Sequence, residues 1–204
     1  VTHLHNDHIG GEVALQQHLK ETWGLHAPIA GHAATVADLR GKVEFQKTIE
    51  DGAGIRLTDA EGAGFDLEAL HTPGHARGHL AFFDRELGFL LTGDNVVGTG
   101  TVVIAPPQGD MTEYLESLGR MRDLAGLRFL AGSHGAAVFD ARGRIEQYIA
   151  HRLERERQVA EAFASGVTDA PGIAARIYAG LEERLFPLAV RTVEAHLARI
   201  LGPQ

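Results

Sequence analysis

Thr2-His3-Leu4-His5-Asn6-Asp7-His8 packs three imidazoles and a carboxylate into one short stretch. Imidazole suits zinc and related transition ions, and a carboxylate either ligates a metal or orients a water. The segment therefore holds both kinds of group that metal-assisted hydrolysis needs. If its apolar start ends a strand, period-two alternation sends His3 and His5 to one side. A turn at Asn6 then brings Asp7 and His8 around, so one segment is able to serve two adjacent metals. The competing reading is a surface histidine cluster or tag-like stretch, and Asp7 and the following Gly10-Gly11 lead into a helix weigh against it.

Three further candidates each sit in a short glycine-containing turn after an apolar run. They are His75 in His71-Thr72-Pro73-Gly74-His75, Asp94 in Leu90-Leu91-Thr92-Gly93-Asp94, and His134 in Phe129-Leu130-Ala131-Gly132-Ser133-His134-Gly135. Glycine and proline permit sharp turns that present a side chain at a strand end, where α/β architectures gather their sites.

The pattern T-H-x-H-x-D-H, then P-G-H, G-D and G-S-H-G, resembles the metallo-β-lactamase superfamily of hydrolases. That resemblance, running from residue 3 to residue 134, implies the ligand assignment. His3, His5 and His75 hold one metal, Asp7, His8 and His134 hold a second, and Asp94 bridges both. It also implies an αββα four-layer sandwich and two divalent cations, zinc or alternatively manganese or iron. These would share a hydroxide that attacks the scissile group, with Asp7 and Asp94 as the catalytic carboxylates. Relatives of this kind place several strands before T-H-x-H-x-D-H. The expectation is therefore a fragment lacking its N-terminal strands, with an apolar sheet face left without its partner.

Of the twelve histidines, five belong to this set. His79 is read as a residue behind the ligands, supplying a partner for a ligand's outer nitrogen, or as a structural one. His71 reads as a satisfied strand histidine. His18, His26, His151 and His196 read as surface or helix-face residues.

A chain of 204 residues, 44% hydrophobic and 23% charged, is long enough to bury a sizeable core, and no run is long enough to span a membrane. With no cysteine there is neither disulfide nor thiolate ligand, so any metal must be held by nitrogen and oxygen. The expected location is the cytoplasm.

The remaining pattern is α/β up to about residue 143. Ile9/Val13 and Leu15/Leu19 predict a helix packed behind the metal loop and ended near Gly24. Residues 28–32 form a short strand. Glycine-rich turns lie at 51–54 and 59–64, and Phe65, Leu67 and Ala69 alternate with Asp66 and Glu68 as a half-buried strand. Strands at 80–83 and 89–91 follow, then a helix capped by Thr112, then the strand 128–131 that delivers His134. Residues 144–204 read as a separate all-α module. Ile145, Tyr148, Ile149, Leu153, Ala160 and Phe163 form its apolar stripe, and Arg152, Arg155 and Arg157 interleave with glutamates on the solvated side. Thr168 caps a second helix carrying Ile173, Ile177 and Leu181. Pro187 opens a last one that stops at Gly202-Pro203. This tail resembles the helical, winged-helix-like appendage on the branch of the superfamily that includes a mitochondrial endoribonuclease, without the wing.

Three functions compete. A hydrolase of a small thioester or ester, as in glyoxalase II-like members, is favoured by the net charge of −8. A single-strand endoribonuclease is raised by the helical tail, yet residues 142–199 hold nine arginines against eight acidic residues, which is no basic stripe for single-stranded RNA. A non-catalytic interaction module would leave the full ligand set without a use. Oligomeric state is open, and no membrane partner is expected.

Overall fold

Short runs of alternating or continuous apolar residues between glycine turns become one five-stranded sheet. Its strands are β3 (Gly54–Thr58), β4 (Gly64–His71), β5 (Leu80–Asp84), β6 (Phe89–Gly93) and β7 (Phe129–Gly132), hydrogen-bonded in that order. The computed structural model describes residues 1–59 and 61–202. Ala60 in the 59–64 turn, the Pro203 helix stop and Gln204 lie outside the described residues. β3 to β6 are antiparallel neighbours, whereas β7 joins β6 in parallel after a crossover through α3 (Met111–Arg122). A second, two-stranded parallel sheet pairs β1 (Ala30–Gly31) with β2 (Lys47–Thr48), with α2 (Ala33–Asp38) between them in the chain and α1 (Glu12–Trp23) before them.

This connectivity brings the C-terminal ends of β4, β6 and β7 to one end of the sheet. Below them lies the main core, where Phe83, Leu90 and Leu130 from the sheet meet Tyr114 and Leu118 of α3. Ile145 and Tyr148 from the first half of α4 (Ala141–Ala164) complete it. The second half of α4 instead packs with α5 (Ala170–Ile177) and α6 (Phe186–Leu201) around Val159, Ile173 and Val193. α4 thus belongs to both cores, and the expected division at 143/144 falls in its first turn.

Several local expectations are corrected. α1 forms and closes at Gly24, but it buries none of its residues, and Val13 and Leu15 are more than half exposed. Only Glu12, Gln16 and Leu19 are half-buried, with Gln16 bonded to the Ala27 carbonyl. α3 is capped by Asp110, whose carboxylate accepts from the Thr112 and Glu113 amides, and α5 by Asp169. In both cases an aspartate carboxyl group near the predicted cap meets the orphan amides better than a threonine hydroxyl. β4 is buried by position instead of by alternation. Its first residues pair with the edge strand β3 alone and leave Phe65 exposed, whereas Ala69 and Leu70, past the end of β3 and paired with β5, are buried.

On α4, Arg152 is 2% exposed and Leu153 is 47% exposed, the reverse of the predicted faces. Arg152 lies four residues after Tyr148 and seven after Ile145, which puts it on the buried stripe. Leu181 and Leu201 are exposed as well. His196 is fully buried between α4 and α6 and is not a surface residue. No described helix is long and apolar enough to cross a membrane.

Candidate metal centre

Residues 1–5 form no regular strand and bend at Leu4-His5, anchored where Val1 N donates to the Ala30 carbonyl and Leu80 N to the Thr2 carbonyl. His3 and His5 still meet on one side as expected, and a single 3-10 turn over Asn6–His8 swings Asp7 and His8 around. His5 Nδ1 lies 3.0 Å from both His3 Nε2 and His75 Nε2. A second group, Asp7, His8, Asp94 and His134, gathers beside the first. There His134 Nε2 is 3.3 Å from Asp7 Oδ2, and His8 Nε2 is 3.4 Å from Asp94 Oδ1. Asp94 faces both groups, because its Oδ2 is 4.0 Å from His3 Nε2, 3.9 Å from His75 Nε2 and 3.5 Å from His134 Nε2. All seven residues singled out in the sequence converge.

The outer nitrogens of His3, His8 and His75 have partners. His75 Nδ1 donates to the Val103 carbonyl at 2.9 Å, which can only accept, so Nε2 carries the lone pair that faces the centre. The Thr2 hydroxyl lies 3.1 Å from His3 Nδ1 and 3.5 Å from His8 Nδ1. His79 fills the place behind the ligands. Its Nε2 accepts the Asp94 amide at 3.1 Å, which leaves Nδ1 to donate to the Thr72 hydroxyl at 2.9 Å, so neither nitrogen is free to bind an ion. Gly93 makes this approach feasible, since at φ 52° a Cβ there would lie 2.5 Å from His79 Nε2. His71 stays outside the centre, stacked on His32 at 3.9 Å with its Nε2 on the Arg77 carbonyl.

Burial pushes the pKa of His3 and His79 far down, assisted by the neighbouring imidazoles, and lowers that of His5 against the opposing pull of Asp94 and Asp7. His75 is pushed down to about 4, first by burial and then by His5. These rings are neutral at pH 7, the form that binds a metal.

The donor set fits divalent cations. Zinc–nitrogen bonds of about 2.0–2.1 Å place tetrahedral ligand nitrogens roughly 3.3 Å apart, close to the observed spacing of His3, His5 and His75. His8 Nε2 and Asp94 Oδ1 are both buried and have no hydrogen-bond partner among the described residues. Buried polar atoms left this way are costly unless a ligand serves them. A mixed nitrogen and oxygen set accommodates zinc, manganese or iron.

The centre opens into a cleft of about 480 Å³ walled by Val97, Val102, Val103, Ala105 and Leu188, with two threonines. Among the described residues, no lysine or arginine lines it. A larger hollow of about 620 Å³ lies on the sheet beside Phe65 and Arg85, away from the seven residues. Sequence reasoning missed the Thr2 hydroxyl, although it opens the quoted motif. It also missed the Val103 carbonyl, because a backbone acceptor leaves no sequence signal.

Seven histidines and aspartates at one end of a mixed sheet define a class, an α/β protein with two adjoining metal-binding donor sets. The chain belongs to the Metallo-beta-lactamase superfamily, whose family model matches residues 1–134. It is 29% identical to a Beta-lactamase-like protein 2 homolog of Drosophila melanogaster over 98% of this chain and 66% of that one. It is 36% identical to an Atrochrysone carboxyl ACP thioesterase of Aspergillus chevalieri over 79% of this chain and 46% of that one. It thus spans about half to two thirds of these relatives' length. A beta-lactamase domain protein from Burkholderia ambifaria shares the fold, with a TM-score of 0.81 at 23% identity over 99% of this chain and 68% of that one.

Proposed function

We propose that this chain carries the catalytic centre of a hydrolase that uses two divalent cations to cleave a small thioester or ester. The observation that carries the reading is Asp94, a single carboxylate within 4.0 Å of imidazoles from both donor sets. His3, His5 and His75 would hold one cation, and Asp7, His8 and His134 the other, with Asp94 shared. Bound there, the cations would lower the pKa of a water and stabilise negative charge on the substrate.

The chain's own residues supply the rest. Asp7, on the open side with its side chain 60% exposed, accepts a hydrogen bond from the attacking water and aims it at the carbonyl carbon. Val97, Val102 and Leu188 take the apolar part of the acyl group and keep bulk water from it. Water adds its oxygen to the acyl carbon, the carbon–sulfur or carbon–oxygen bond breaks, and a carboxylic acid and a thiol or alcohol leave. A cleft without cations suits such a substrate better than the phosphates of single-stranded RNA. The thioesterase named among the relatives also supports an acyl thioester.

Purified protein is expected to contain a divalent transition metal by elemental analysis and to hydrolyse members of a thioester and ester panel, with His75→Ala inactive. Metal-free protein with turnover unaffected by His75→Ala would end the two-metal reading. Cleavage of single-stranded RNA, abolished by Asp94→Ala while thioesters stay intact, would put the endoribonuclease in its place.

A further inference from the structure

Residues 94–105 form no regular structure, yet they touch every part of the centre. The segment begins at Asp94, its Gly98 N–H donates to the His134 carbonyl at 2.9 Å, and its Val103 carbonyl accepts from His75 Nδ1 at 2.9 Å. Backbone outside a helix or sheet needs other partners for its polar groups. Here three side chains spaced four apart on one face of α4 supply them. Arg144 Nη2 donates to the carbonyls of Val97 at 3.1 Å and Gly100 at 3.2 Å. The Tyr148 hydroxyl donates to the Gly100 carbonyl at 3.0 Å and accepts from Val97 N–H at 3.2 Å. Arg152 Nη2 donates to the Thr101 hydroxyl at 2.8 Å and to the Val102 carbonyl.

Arg152 is the telling member. It is 2% exposed, and its guanidinium lies over the Tyr114 ring at 5.4 Å. A buried cation is costly, and here its Nη2 group goes to the two residues just before Val103, while Nε has no partner among the described residues.

We propose that Arg152, at the inner end of the Arg144–Tyr148–Arg152 ladder, is a positioning residue for His75. It fixes the Thr101–Val102 backbone, which places the Val103 carbonyl, which in turn holds the His75 ring with its proton on Nδ1 and its lone pair toward the centre. The effect on metal binding rests on the reading of His75 as a ligand, whereas the effect on the ring's tautomer does not.

The test uses the full chain with nitrogen-15-labelled histidine. In metal-free wild type, His75 is expected as a single Nδ1–H tautomer by NMR. Arg152→Met keeps the side chain's bulk and loses its donors, so it is expected to give mixed His75 tautomers. Its zinc affinity, read by chelator competition, should fall by about 10–100-fold. Arg152→Lys, which retains one donor group, should recover part of both. Val159→Ala lowers stability in the other core without touching the segment, and both readouts are expected to stay at wild type. Should Arg152→Met not fold, Tyr148→Phe, which removes one hydroxyl from the same ladder, is expected to shift the tautomer in the same direction by less. A wild-type tautomer in the ladder variants, or an equal shift in Val159→Ala, would overturn the inference. Wild-type protein that shows the single tautomer but binds no zinc would instead overturn the metal reading.

Discussion

Asp94 owes its position to its neighbours as much as to itself. Its amide is held by His79 Nε2, and that contact is available because Gly93 presents no side chain to the ring. Asp94→Ala removes the one carboxylate shared by both donor sets, and is expected to lower metal content and cut turnover by at least about 100-fold. Elemental analysis with steady-state rates checks it. Gly93→Ala is a subtler probe, since its methyl must displace the His79 ring. It is expected to weaken zinc binding by roughly 10-fold with all seven candidate ligands still present. Wild-type affinity in that variant would show that His79 does not position Asp94.

At the scale of elements, caps and close approaches decide how the strand ends and helices meet. Asp110 caps α3 with its side chain, while its backbone amide donates to the Gly74 carbonyl at 2.8 Å, so the helix start is pinned beside His75. Asp110→Ala keeps the amide and loses the cap, at a cost of about 1 kcal/mol, which lowers the melting temperature by about 2–4 °C for a chain of this size. Thermal unfolding should show that drop with catalytic rates unchanged. Gly74 tolerates far less. At φ 119° a Cβ would lie 2.2 Å from the Tyr114 backbone, so Gly74→Ala forces β4's turn away from α3. Soluble yield is the measurement, and normal yield with a normal melting temperature would contradict the close packing.

Over the whole molecule, buried neutral imidazoles set the response to acid. His75 is held at about 4 and His196 at about 3, both mainly by burial, and His3, His5 and His79 are lowered too. An unfolded histidine takes up its proton near 6.5, so below that pH the unfolded chain binds more protons than the folded one. The stability tied to these rings is therefore complete above about 6.5 and drains away as pH falls toward the folded values of His75 and His196. Metal-free protein is expected to show a lower urea midpoint at pH 5 than at pH 7.5. Equal midpoints would mean that these rings do not stay buried and neutral. Protons also compete for the ligand nitrogens of the folded protein, so metal affinity should fall as pH approaches about 4, where His75 takes up its proton.

The candidate site was legible because its chemistry is compressed into local motifs. His3 to His8, Gly74-His75, Gly93-Asp94 and His134 each announce a ligand at the end of a strand or turn. The strands at 80–83, 89–91 and 128–131 and the longer helices followed from hydrophobic period and glycine spacing, whereas β3, α2 and the order of the strands carried no such local signal. Faces and caps were less legible. A pattern of charge placed Arg152 outside, and His196 read as a surface or helix-face residue, yet both are buried, because burial is set by what packs opposite and not by a residue's own polarity. Thr112 and Thr168 read as caps, but the nearby aspartates win where the backbone turns. The sequence by itself determined the donor types and the superfamily, since those reside in short contiguous runs. Only the tertiary structure decided that Asp94 faces both sets, that His79 has no free nitrogen, and that α4 grips the segment behind His75. Those relations join residues some fifteen to ninety positions apart, and only the packing of the sheet against its helices sets such distances.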